Sequence, residues 1–184
     1  MTRPPRLREL LAMDLARYTE THSGPLAYAR TLAGEPGLLA SSLLRVQQRA
    51  MAGQHVRSAK VARYLALTLT GADFVPGCQV GGGLRLSHPH GVVIGGGAVV
   101  GDQCTLLQNV TLGERHVDGS GPHDYPTLRD NVTVGAGAVV LGDIEIGQGA
   151  TVGANSVVLA DVPAESLAVG SPARVLPTTR AETP

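Results

Sequence analysis

Tryptophan is missing from this 184-residue chain, and its aromatics stop at Phe74 and four tyrosines. That scarcity excludes a core assembled around large rings, although 43% of the residues are hydrophobic. Charge of one sign is missing too: fifteen basic residues balance fifteen acidic ones, and neither forms a long block. A nucleic-acid or membrane-surface partner is therefore not expected. Cysteine is limited to Cys78 and Cys104, which excludes a disulfide framework and points to two free, buried thiols. No apolar run approaches the ~18 residues of a bilayer-spanning helix. Glu9 and Asp14 interrupt the N-terminal leucines, against a signal peptide. The expectation is a cytoplasmic protein.

What the chain does have is a beat of six. Aliphatic residues fall at Val80, Leu86, Ile94, Val100, Leu106 and Leu112, then at Leu128, Val134, Val140, Ile146, Val152 and Val158. A glycine follows many of them, as at Gly81, Gly95, Gly101, Gly135 and Gly147. A small or branched residue sits four places on, as at Cys78, Ala98, Cys104, Ala138 and Ala150. Neither the 3.6-residue period of a helix nor the two-residue period of a strand produces this pattern. A short strand and a tight turn repeated every six residues does, with three units to a coil. The expected fold is mainly β, a hexapeptide-repeat parallel β-helix over 73–163. Its aliphatics stack inward, and its glycines supply corner conformations that a Cβ would obstruct.

Residues 1–72 lack the beat and read as a short N-terminal helical region of four helices, broken near Thr21–Pro25, Gly34, Gly53 and Gly71. Residues 164–184 form a C-terminal tail. Two interruptions of the beat stand out. The run Ser87-His88-Pro89-His90-Gly91 is followed by two extra residues, and the polar connection 113–127 carries Arg115, His116, Asp118, His123, Asp124 and Tyr125. A fifteen-residue patternless stretch inside a strict repeat is long for a connection, and such loops are usually functional.

The runs LSHPHGVVIGGGAVVGDQCTLLQNVTLG, PTLRDNVTVGAGAVVLGDIEIGQGATVGANSVVLADVP and VGSPARVL resemble the serine O-acetyltransferases of the hexapeptide-repeat acyltransferase superfamily. The resemblance implies a left-handed β-helix, a homotrimer, and acetyl-CoA bound between adjacent subunits, with no metal. It places the catalytic base on His88 and its acid partner on Asp73. An imidazole with a pKa near 7 can take the proton of a hydroxyl acceptor as it attacks a thioester, and a carboxylate on the other ring nitrogen stabilises the imidazolium. Gly113, Ala136, Gly137 and Ala154 fall where relatives hold coenzyme A. A long, amide-bearing pantetheine arm suits a groove edged by backbone.

The acceptor clamp of that family is altered. Ser87 stands where an acid precedes the base, Asp124 and Tyr125 stand where an arginine–histidine pair closes the loop, and His22 replaces an acid of the helical region. The lost charges would have gripped the ammonium and carboxylate of serine. The expectation is thus a CoA-dependent O-acyltransferase acting on a hydroxyl of a non-serine small molecule. Ser87, His90, Asp124, Tyr125 and His22 would be the acceptor-binding residues. The alternatives are a serine acetyltransferase with a rewired acceptor site, a zinc-binding trimer like the γ-type carbonic anhydrases using His88, His90 and His116 or His123, and a non-catalytic partner protein.

Overall fold

The computed structural model describes residues 6–19, 25–116 and 124–177. Four helices lead the chain: α1 (Leu7–Ala16), α2 (Pro25–Gly34), α3 (Pro36–Ala52) and α4 (Val56–Thr70). The α4 helix buries Ala59, Ala62 and Ala66 at three- and four-residue spacing, which lets α3 lie close along it. It ends on Gly71, whose φ of 75° is the left-handed conformation that stops a helix. Two residues later the solenoid begins. Among the described residues no helix is long and apolar enough to cross a membrane.

The first coil carries β1 (Asp73–Phe74), β2 (Gln79–Val80) and β3 (Arg85–Leu86). The second carries β4 (Val93–Ile94), β5 (Val99–Val100) and β6 (Thr105–Leu106), and the third β7 (Thr111–Gly113), β8 (Thr127–Leu128) and β9 (Thr133–Val134). The fourth carries β10 (Val139–Leu141), β11 (Glu145–Ile146) and β12 (Thr151–Val152), after which β13 (Val157–Val158) leads to a hairpin of β14 (Ser166–Gly170) and β15 (Ala173–Pro177). Like strands stack into three sheets: β1-β4-β7-β10-β13, β2-β5-β8-β11, and β3-β6-β9-β12-β14-β15. Every pairing is parallel except β14 with β15. The solenoid is a left-handed parallel β-helix, against the right-handed rule for ordinary crossovers.

One residue of each strand pair points inward and is buried. Leu86, Ile94, Leu106, Leu112, Val134, Val140, Ile146 and Val152 have no exposed surface at all. Each contributes about 1.5–3 kcal/mol of burial, so the rungs hold the triangle closed without large rings. Cys78 and Cys104 are free and buried as expected, and burial pushes their thiols up to about 12 and about 11.

The glycines act differently from the expectation. Gly135 has no positive φ; a Cβ on it would sit 2.6 Å from the Ala154 amide nitrogen of the next coil. Close stacking of corners, rather than backbone conformation, excludes a side chain there. The left-handed residues come two places later, at Gly91, Asn109, Gly137 and Asn155 along one edge.

The helices close the open end of the first coil. Arg45 of α3 and Asp14 of α1, both fully buried, pair through Nε–Oδ2 and Nη2–Oδ1, each 2.9 Å. Arg45 also donates to the carbonyls of Val80 and Gly81, and Asp14 accepts from the Leu84 amide. The Tyr18 hydroxyl, just past α1, takes the Leu86 amide at 2.9 Å.

Candidate functional site

Three corners run the length of the solenoid. The first joins the β1 sheet to the β2 sheet, the second joins the β2 sheet to the β3 sheet, and the third returns to the β1 sheet. Residues 87–92 form the top of the third corner. The two extra residues let it reach up to the end of α4: the Gly91 amide donates to the Gly71 carbonyl at 2.9 Å, and a Cβ on Gly71 would strike the His90 ring. Pro89 and Val92 are buried, which leaves His88 and His90 exposed and Ser87 half-buried. His88 therefore stands at the head of this corner with its side chain in solvent.

Asp73 begins β1 on the same side, its amide bonded to the Val92 carbonyl at 2.8 Å. Its carboxylate is not free. Arg63 of α4 forks onto it, Nε to Oδ1 at 2.5 Å and Nη2 to Oδ2 at 2.8 Å. Among the described residues no hydrogen bond links Asp73 to His88. The bidentate geometry fixes the plane of the carboxylate, and the hydrogen bond to Asp73 raises the Arg63 pKa. Arg63 was missed in the sequence because α4 reads there only as an amphipathic helix. Nothing in the spacing says that the charge ten residues before Asp73 turns back onto it.

Below His88, the third corner descends through Gln108, Ala136 and Ala154. Their successors interlock, with Gly137 donating to the Gln108 carbonyl at 2.9 Å and Asn155 to the Ala136 carbonyl at 2.8 Å. The amides of Gln108, Ala136 and Ala154 themselves have no acceptor among the described residues. The buried Gln108 Oε1 is also without a partner there. Unpaired backbone donors beside small residues make a strip able to bond an amide-bearing chain. Ala136, Gly137 and Ala154, expected to hold coenzyme A, are thus brought together on the corner that His88 heads. Gly113 is not: it closes β7 at the first corner, its carbonyl taken by the Gly142 amide.

The connection after Gly113 is also rooted at the first corner, at the opposite end of the β1 sheet from His88. Arg115 donates to the Leu159 carbonyl at 2.5 Å, while His116 is exposed. Asp124 is half-buried at the far root, and Tyr125 lies against the coil above. A Cβ on either Gly95 or Gly97 would run into the Tyr125 ring. Burial, and then the charge and hydrogen bond of Glu114, raise the Tyr125 pKa. His22 and His123 lie outside the described residues. No three His, Cys, Asp or Glu side chains gather as a metal site among the described ones.

Comparison with known proteins adds to this geometry. The family described as bacterial transferase hexapeptide (six repeats) matches residues 125–160. The serine acetyltransferase of Synechococcus elongatus is 47% identical over 120 residues, which cover 64% of this chain and 47% of that protein. The structure of soybean serine acetyltransferase complexed with serine superposes with a TM-score of 0.83 at 36% identity, over 92% of this chain and 69% of that one. A serine acetyltransferase in complex with CoA gives 0.80 at 30% identity, over 92% and 69%. The chain spans about half the length of the curated relatives it matches.

Proposed function

This chain belongs to the serine acetyltransferase family of hexapeptide-repeat transferases, and from that premise we propose that it transfers the acetyl group of acetyl-CoA to the hydroxyl of L-serine. The observation that carries the reading is the third corner, where an exposed histidine heads a strip of unpaired backbone amides. His88 takes the proton from the serine hydroxyl as the oxygen attacks the thioester carbonyl. When the C–S bond breaks, His88 returns that proton to the departing thiolate, so the products are O-acetylserine and CoA. Asp73 would serve as the acid partner of the imidazole, with its carboxylate held by Arg63. The amides of Gln108, Ala136 and Ala154 would donate to the pantetheine carbonyls, with Gly137 leaving room for the arm.

Ser87, His90, Asp124, Tyr125 and His22 remain the proposed acceptor side. The expected non-serine acceptor draws no support from the relatives, which are named for serine, and the rewired serine acetyltransferase fits them better. Assembly follows from placement. One chain puts His88 and Ala136 on the third corner and Gly113 and Asp124 on the first, a full sheet apart. A site using all of them takes two corners from two copies, and a closed ring of three supplies three such sites. Steady-state kinetics of thiol release test the reading. The expected kcat/KM for L-serine is about 10⁴ M⁻¹s⁻¹ or better. A value far below that, with a sugar or other alcohol turned over faster, would overturn serine as the acceptor.

A further inference from the structure

We propose that Tyr125 is a latch: its ring, seated against Gly95 and Gly97 and tied through its hydroxyl to Glu114, fixes both roots of the 113–127 connection and thereby the position of Asp124. The glycine triplet Gly95-Gly96-Gly97 is the seat. Neither Gly95 nor Gly97 has a left-handed φ, so the backbone there would accept any residue. A Cβ on either would run into the Tyr125 ring, and on Gly95 would meet the Leu112 carbonyl as well at 3.0 Å. The ring also joins the hydrophobic cluster of the solenoid as a half-buried member. Its hydroxyl bonds Glu114, the second residue of the connection, so entry and exit of the loop are joined side chain to side chain. Arg115, one residue further, is anchored to Leu159, two coils below.

Asp124 is the residue before Tyr125, so its carboxylate cannot move far while the ring stays seated. On the acceptor side Tyr125 thus acts as a positioning residue for Asp124, its ring being held against the glycines. The effect on the acceptor rests on the reading above that Asp124 faces it. The latch itself does not.

Two variants approach the latch from opposite sides. Gly97→Ala leaves the tyrosine intact but fills its seat, and Tyr125→Ala removes the ring without adding an atom. Each should raise the KM for the acceptor about fivefold or more while leaving the KM for acetyl-CoA within about twofold. Each should also speed tryptic cleavage after Arg115, read by mass spectrometry, by about fivefold. In the double variant, Gly97→Ala should add nothing to Tyr125→Ala, because its effect passes through the ring. Unchanged cleavage in both single variants would overturn the latch, as would full additivity in the double one. If cleavage accelerates and the acceptor KM stays put, the latch stands and the placement of Asp124 at the acceptor falls. A wild-type protein that turns over no acceptor would sink the proposed function, and the cleavage comparison would still decide the latch.

Discussion

At the second corner the Gly82 amide donates to the Asp102 carboxylate at 2.7 Å, and the Asp102 amide to that of Asp130 at 2.8 Å. At the third corner the equivalent amides of Gln108, Ala136 and Ala154 find no acceptor among the described residues. The two corners are cut from the same six-residue beat, and the turn residues behave alike in both, down to the left-handed conformation at Gln103 and Asn109. One side chain per turn makes the difference. Where it is aspartate, the amide of the turn above is sealed from within; where it is alanine, that donor stays open to a ligand. A repeat fold can therefore hold a binding strip on one edge and a structural seam on another with the same backbone.

The largest effect should come from the head of the open corner. His88→Ala is expected to lower kcat by about 10²–10⁴ while the circular dichroism spectrum is unchanged, because the side chain is exposed and outside the core. Near-wild-type turnover would refute the assignment. A smaller effect should follow from giving the open corner what the sealed one has. Ala154→Asp places a carboxylate under the Ala136 amide, as Asp130 lies under that of Asp102. Calorimetry should show CoA bound about tenfold more weakly, close to 1.4 kcal/mol. Thermal unfolding should show the protein about 0.5–1.5 kcal/mol more stable. Weaker binding without added stability would mean that the new carboxylate acts by repulsion alone. The smallest effect belongs to the reverse change. Asp130→Ala frees the Asp102 amide and should cost about 1 kcal/mol, with kcat and both KM values unchanged. A loss of activity there would erase the distinction between the corners.

The six-residue beat, the inward rungs and both interruptions were legible in the sequence because they are local and periodic. The family could be read from the quoted runs. The partners of charged residues could not. Asp14 and Arg45 lie 31 residues apart on different helices, and only the packing of α1 and α3 on the first coil brings them together. Arg63 and Asp73 are separated by the turn at Gly71, whose angle decides whether they meet. The glycine triplet was visible, but its reason, the Tyr125 ring 28 residues later, belongs to the next coil. Periodicity reveals which residues share a face, and says nothing about which neighbour fills the space that a glycine leaves.

The strand ladders also have two ends. The amides of Asp73, Gln79 and Arg85 all donate to carbonyls of the following coil, and the coils below repeat this. The first coil leaves over carbonyls, met by the donors of Arg45 at Val80 and Gly81, and amides, met by Asp14 at Leu84 and Tyr18 at Leu86. Near the other end the Glu145 amide goes to the Asp161 carboxylate at 2.8 Å. Each end of the stack is thus closed by side chains matched to the backbone groups it leaves over. Duplicating a whole eighteen-residue turn in its middle would keep every donor facing an acceptor and leave both closures as they are, so the solenoid can lengthen without a new cap.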